Sequence, residues 1–456
     1  MTMRATTHIA ATLAAAICLM AGMTAPRPAA AQAAETTAPA PVFDAAAKSQ
    51  AIAAAAKLMT DEYVFPDVGA KAAAMLTQNL AAGKYDADAT PGDFAAQVTR
   101  DLQDLTHDRH LHVQADGVVP EGLPKGPPPP LGFHGFAQAD RLKGNIGYIV
   151  LNGFAPKDHS KLGADKAMGL LASTDALIID LRHNGGGDPG AVAYLVSFFF
   201  DGKTTVHVND LLWRKPGTTD YDRSVFSTEP TPVSYLGKPV FLITGPLTFS
   251  AAEEFAYDMQ TQKRATLVGE ATGGGAHPGG PEPLGPGLAL WVPMGRPDNP
   301  VTHTDWEGKG VQPDVPVPAD RSFATAYGAA LHALGRPAPG SANSAEAVTE
   351  AHLLLPPRTA AAPGSEDALR RYIAGLASGN PPYDVMSDDW AASTRQNLAW
   401  LQPTLAKLGA LQSLTFVEVD LMGEDVYDAN FANGSDSFQI TLGPDGRIAS
   451  CFFQME

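Results

Sequence analysis

The chain has 456 residues, 45% of them hydrophobic, and a formal net charge of −17. Length and apolar content allow two or three packed units, and the acidic balance excludes nucleic acid and anionic membrane as partners. Two cysteines, Cys18 and Cys451, leave no room for a cysteine metal site and argue against a cysteine nucleophile.

Met1–His8 carries Arg4 and no acid, Ile9–Ala25 is apolar, and Ala31-Gln32-Ala33 offers the small-x-small pattern that signal peptidases cut. Residues 1–33 therefore read as a secretory signal peptide cleaved after Ala33. The apolar run is shorter than the ~20 residues needed to span a bilayer, so no stable membrane insertion is expected. The expected location is periplasmic or secreted. Cleavage removes Cys18 and leaves Cys451 in the strand-like run Ser450–Phe453, without an internal disulfide.

Residues 34–42 read as a flexible leader, and a helical domain is predicted over residues 44–115. Ile52, Ala55, Ala56 and Met59 share one helix face, and Phe65-Pro66 breaks that helix. Met75, Leu76 and Leu80 mark a second helix, and Phe94, Val98 and Leu102 a third. Pro120–Pro130 reads as a stiff linker or an exposed loop. Residues 130–330 are the predicted core. Strand-like runs at Ile146–Leu151, Ala176–Asp180, Pro239–Thr244, Leu267–Gly269 and Leu288–Val292 alternate with helical patterns at Gly190–Phe200 and Ala251–Gln262. That alternation predicts an α/β core with a largely parallel sheet. Residues 335–364, rich in Ala, Pro, Ser and Gly, read as a linker. Residues 365–456 form a separate α+β unit. Ser365 is positioned to cap a helix carrying Leu369, Tyr372, Ile373 and Leu376. A second helix over Asp389–Leu408 precedes strands at Leu414–Val419, Asp425–Phe431, Phe438–Leu442 and Arg447–Phe453. Asn433-Gly434 and Asp445-Gly446 supply hairpin turns between them.

Four segments carry chemistry. In Phe241–Phe255 a buried strand runs through Gly245-Pro246 into a helix, with Ser250 at the junction. The free amides of a helix's first turn, that of Ala251 above all, can stabilise an oxyanion there; a serine at that place also serves as an ordinary N-cap. In Ala176–Gly187 a strand ends in Asn184-Gly185-Gly186-Gly187, whose glycines let backbone amides converge on an anion. Asp108-Arg109-His110-Leu111-His112 offers a histidine base. His107, His110 and His112 fit neither HExxH nor a helical i, i+4 pair, so no metal is expected. Trp306-Glu307-Gly308-Lys309-Gly310-Val311 reads as a turn before an edge strand, with Glu307 able to orient a histidine. His134, His183, His277 and His303 read as surface residues. Among these, His277, beside a Gly/Pro-rich loop, is the first alternative as a lining group of the cleft.

In order and spacing, these segments resemble the C-terminal processing and tricorn peptidases, family S41. The resemblance rests on Asp180 to Gly187, on Ser250-Ala251-Ala252-Glu253, on Arg264 to Glu270 and on Gly310 to Asp314. The family's Ser–Lys version takes its lysine from a Gly-Lys-Gly after Val-Gly-Glu, where this chain has Gly275. The resemblance therefore implies the Ser–His–Glu version, with Ser250 as nucleophile, His110 as base and Glu307 as its partner. Gly186 and Ala251 are the implied oxyanion hole. It also implies a crotonase-like ββα core sheet within the α/β class, preceded by the helical domain and followed by the small α+β domain. The roughly 30 residues between His110 and the core sheet are about a third of what a PDZ domain needs, so none is expected there, in which the chain resembles the repeats of interphotoreceptor retinoid-binding protein. The C-terminal unit resembles small cystatin or nuclear transport factor 2 domains. The implied activity is that of a tail-specific protease acting on a peptide or protein substrate without a cofactor. A lipid- or peptide-binding protein on the same fold is the main alternative. An esterase is the third, though Thr248-Phe249-Ser250-Ala251-Ala252 stands where Gly-x-Ser-x-Gly would be.

Overall fold

Asp44 accepts a hydrogen bond from the Ala47 amide and so opens the first helix, Ala45–Asp61. Pro66 starts the second, Pro66–Ala81, and a Thr90–Asp93 capping box starts the third, Pro91–Thr106. The computed structural model describes residues 43–115, 133–285, 287–338, 343–353, 360–419, 424–443 and 445–453. The signal peptide expected over residues 1–33, the leader expected at 34–42 and the proline-rich stretch Pro120–Pro130 lie outside the described residues. Among the described residues, no helix is long and apolar enough to cross a membrane.

The chain divides into two compact units that do not follow chain order. The first combines the described part of Met1–Pro128 with His207–Ser227 and Thr272–Val311. Its three helices bury Ile52, Met59, Leu76, Phe94, Val98 and Leu102 in one core with Leu111, Leu290 and Val292. The expected helical domain thus carries sheet as well, drawn from within residues 130–330. His112–Ala115, Leu288–Pro293 and Gly279–Gly285 form one antiparallel sheet. Gly295–Asp298, His207–Arg214 and Tyr221–Ser227 form another. The Leu288 run was expected in the core sheet, and its burial explains the difference. Leu288, Leu290 and Val292 are buried while Ala289 and Trp291 are half-exposed, the alternation of a strand with one covered face. Arg214 ties this unit together by donating to the carbonyls of Tyr63 (2.7 Å) and Thr60 (2.9 Å).

The second unit holds Pro129–Val206, Thr228–Ala271 and Gln312–Glu456. Its seven-stranded sheet runs in the order Val315–Pro316, Thr266–Gly269, Val240–Thr244, Ala176–Asp180, Ile146–Leu151, Phe136–Leu142 and Thr349–His352. The first five are parallel; the last two add antiparallel. Ala176–Asp180 and Val240–Thr244 are buried at every position, as central strands of a parallel sheet must be. Phe323, Ala326, Tyr327 and Ala330 of helix Ala319–Ala333 pack on Ile178, Phe241, Ile243 and Val268. The fold is therefore mixed α/β with a parallel core, as expected.

The stretch expected as a linker contributes the sheet's last strand, Thr349–His352, anchored by the buried Val348. Its small, polar composition hides a strand whose stability comes from pairing at an edge. In the C-terminal part, helices Ser365–Ser378 and Asp388–Leu408 share a core with the antiparallel sheet Leu411–Val419, Asp425–Phe431, Gly434–Leu442 and Ile448–Phe453. Gly364 at φ +85°, not Ser365, occupies the N-cap of the first of these helices. Ser365 is buried instead, with its hydroxyl 2.6 Å from that of Tyr427.

Candidate active site

Ser250 lies where strand Val240–Thr244 passes into helix Ala251–Thr261, at φ +56° and ψ −125°. A side chain pays about 1–3 kcal/mol to sit in such a region, which glycine alone enters freely. The surroundings hold it there. The Thr248 hydroxyl donates to the Leu181 carbonyl at 2.8 Å, and the Phe249 amide donates to the Asn184 carbonyl at 3.0 Å. These bonds join the turn to the loop leaving the neighbouring strand. Glu253, fully buried, accepts the Ser250 amide at 2.9 Å. Ala251 is the first residue of the helix, so its N–H has no carbonyl within the helix to meet.

Gly186 faces this turn at φ +108°. A Cβ there would lie 2.8 Å from the Ser250 Cβ and 3.0 Å from the Ala251 nitrogen. Only glycine lets the two backbones approach so closely. Its N–H donates to Asn184 Oδ1 at 2.9 Å, so an oxyanion would compete with that side chain. Asp180 braces the same loop, accepting from Tyr148 Oη and Arg182 Nε at 2.9 Å each.

His110 and Glu307 belong to the first unit. Helix Pro91–Thr106 ends in His107 at φ +58°, and Asp108 Oδ1 then accepts the His110 amide at 3.1 Å. This tight turn delivers His110 just before strand His112–Ala115. Glu307 is held by amides from two other segments. Its Oε1 accepts the Arg109 N–H at 3.3 Å and its Oε2 the Ala276 N–H. The turn that carries Glu307 is closed onto the loop at 272–277. Trp306 Nε1 donates to the Gly275 carbonyl at 2.9 Å and the Val311 amide to Thr272 Oγ1 at 2.7 Å. Gly310 permits this closure, since a Cβ on it would meet the Thr272 carbonyl oxygen at 2.3 Å.

One donor atom from each of Asp108, His110 and Glu307 lies within 4.8 Å of the others, a spacing that a cation could bridge. The carboxylate oxygens already serve the protein. Asp108 Oδ2 accepts from Tyr63 Oη at 3.1 Å and lies 2.7 Å from His277 Nδ1, and Glu307 takes the two amides above. Burial pushes His110 down to about 4, against the pull of Asp108, so at neutral pH it is an uncharged imidazole able to accept a proton. Burial also raises Glu307, opposed by the charge of His277 and reinforced by that of Asp108. Burial would lower His277, but its bond to Asp108 and the charges of Asp108, Glu307 and Asp305 raise it overall.

His110 and Glu307 are thus brought together in the first unit. Ser250, Ala251 and Gly186 form a second group in the other. His277 and His134, read as surface residues, are buried; His183 and His303 are exposed. His277 carries no sequence signal beyond the glycines before it, because its partner Asp108 is 169 residues away. Asn184 was visible only as a member of the glycine-rich segment.

Residues 145–317 match the model of peptidase family S41, and residues 43–128 match that of the N-terminal domain of Peptidase S41 in eukaryotic IRBP. The carboxyl-terminal-processing peptidase 2 of the Arabidopsis thaliana chloroplast is 29% identical over 175 residues. That alignment covers 38% of this chain and 32% of the relative, so the chain spans about a third of that relative's length. Among solved structures, the photosystem II D1 C-terminal processing protease aligns at a TM-score of 0.40 and 14% identity, over 59% of this chain and 93% of its own. The tricorn protease aligns at 0.36 and 15% identity, over 64% of this chain and 36% of its own.

Proposed function

The chain belongs to peptidase family S41, and on that premise we propose that it is an exported serine peptidase cleaving peptide or protein substrates through Ser250, His110 and Glu307. The observation that carries this reading is the backbone of Ser250. A non-glycine residue at φ +56°, opening a helix, with a glycine loop pressed against its Cβ, is how a turn presents a nucleophile. Export rests on the signal peptide expected over residues 1–33.

His110, neutral at physiological pH, takes the proton of Ser250 Oγ as that oxygen attacks the peptide carbonyl. Glu307 orients the imidazole and stabilises the imidazolium that forms. The Ala251 and Gly186 amides receive the oxyanion, Gly186 exchanging its bond to Asn184 Oδ1 for the new anion. Each such donor is worth about 3 kcal/mol in the transition state. His110 then passes the proton to the leaving amine, and water, activated by the same histidine, hydrolyses the acyl-enzyme.

A fluorophosphonate probe tests this directly. Wild-type protein becomes labelled at Ser250 and cleaves peptides, while Ser250→Ala does neither and keeps its circular dichroism. Residual cleavage by pure Ser250→Ala at the wild-type rate removes Ser250 from the mechanism. One observation favours the second reading, a binding protein on the same fold: the Gly186 amide is engaged by Asn184. A folded wild-type protein that the probe leaves unlabelled would decide for that reading.

A further inference from the structure

The mechanism above leaves one buried histidine of the first unit unused. His277 is 4% exposed, with Nδ1 2.7 Å from Asp108 Oδ2 and 3.5 Å from Glu307 Oε2. Its ring packs edge-to-face with that of Phe65, with centroids 5.2 Å apart. Asp108 is also bonded by Tyr63 Oη and by the His110 amide. Asp305, whose side chain accepts the Glu307 amide at 2.9 Å, adds a third negative charge. His110, itself beside His112, and Tyr63 are the other titratable groups acting within the cluster.

Two carboxylates this close in a largely buried place cannot both remain ionised without compensation. Arg109 contributes its backbone N–H to Glu307, and the tyrosine and the amides contribute only dipoles. The imidazole that reaches both carboxylates is that of His277. We propose that His277 is a positioning residue for the peptidase reaction: its Nδ1 binds Asp108, the same atom lies within ion-pair distance of Glu307, and as imidazolium it lets both carboxylates around His110 stay ionised. This inference rests on the function proposed above.

With His277 charged, the imidazolium and the two carboxylates beside it together carry one net negative charge in the resting protein. Proton transfer from Ser250 to His110 then brings a positive charge to a site that already holds one unbalanced carboxylate. Without that charge, one carboxylate takes up a proton, and Glu307 loses its ability to stabilise the imidazolium. The charge on His277 also opposes protonation of His110 in the resting protein, so the base stays available at lower pH.

His277→Gln keeps a hydrogen-bond donor and removes the charge. The expected result is a kcat lowered about 100-fold, as misplaced catalytic groups cost, with KM within about threefold. The acid limb of the kcat/KM profile moves toward neutral pH. Partial rescue by Lys at the same position, His277→Lys, supports the role of the charge. A merely structural histidine predicts a lower Tm and an unmoved pH profile, and that result overturns the proposal. Because either variant can fail to fold, the 15N shifts of the wild-type His277 ring are recorded across pH. They are expected to show an imidazolium at pH 7, and a neutral ring there overturns the proposal on its own. Peptide cleavage with an unmoved His277→Gln profile defeats this inference alone. A wild-type chain that cleaves no peptide defeats the proposed function and this role with it.

Discussion

At Ser250 the chain presents its proposed nucleophile on a strained backbone turn, whereas around His110 it surrounds the proposed base with ionisable side chains. The serine turn draws on two neighbouring strands, Ala176–Asp180 and Val240–Thr244, on hydrogen bonds donated by Thr248 and Phe249, and on the Ser250 amide's bond to Glu253. Its strain is kept in place by a close glycine contact. The histidine cluster draws on residues near 63, 108, 277 and 307, and on bonds that change with protonation. A nucleophile keeps one position throughout a reaction, so a strained, rigid turn suits it. A base and its partner change charge, so they require surrounding groups whose charges balance in each state.

The largest test of this contrast is Glu307→Gln. If side-chain charge is the active feature of the first unit, kcat falls by about 10³–10⁴, as loss of the triad acid does elsewhere, with the fold intact by circular dichroism. Kinetics indistinguishable from wild type would remove Glu307 from the mechanism. The next effect is on stability. His110 is neutral in the folded protein down to about pH 4 but ordinary, near 6.5, when unfolded. Between those values the unfolded chain binds more protons, so stability falls as pH drops through that window, by about 3 kcal/mol if the whole difference is expressed. The raised His277 acts in the opposite sense. Its contribution is full below the ordinary histidine value and is lost as pH rises through the folded one. Urea midpoints measured from pH 4 to 7 are expected to slope upward, and His110→Gln is expected to flatten the slope. An equal slope in both proteins assigns the effect to other groups. The smallest effect sharpens the serine side. Ser250→Gly relieves the positive φ that Ser250→Ala retains, and is expected to be about 1 kcal/mol more stable than Ser250→Ala. If the alanine variant is equally stable, the turn stores no strain.

Much of the fold was legible in local pattern. The helix faces of Ile52–Met59 and Phe94–Leu102 have the 3.6-residue period, and Ala176–Asp180 and Val240–Thr244 are short apolar runs between turn signals. Hairpin signals at Asn433-Gly434 and Asp445-Gly446 lie between strands that do pair. Ser250 and its glycine loop were legible for the same reason, since a strand, a turn and a helix follow one another within a few residues. What the sequence could not assign was membership. Leu288–Pro293 pairs with His112–Ala115 and not with the parallel sheet, and Thr349–His352 closes an edge from within an apparent linker. Nor could it show that His277 is buried, that Asp108 is its partner, or that Asn184 engages the Gly186 amide. Local periodicity records which face of an element is covered, because that depends on neighbours three, four or two residues away. A hydrogen bond between residues far apart leaves no periodic trace, and only the folded chain decides which distant donor meets which buried carboxylate.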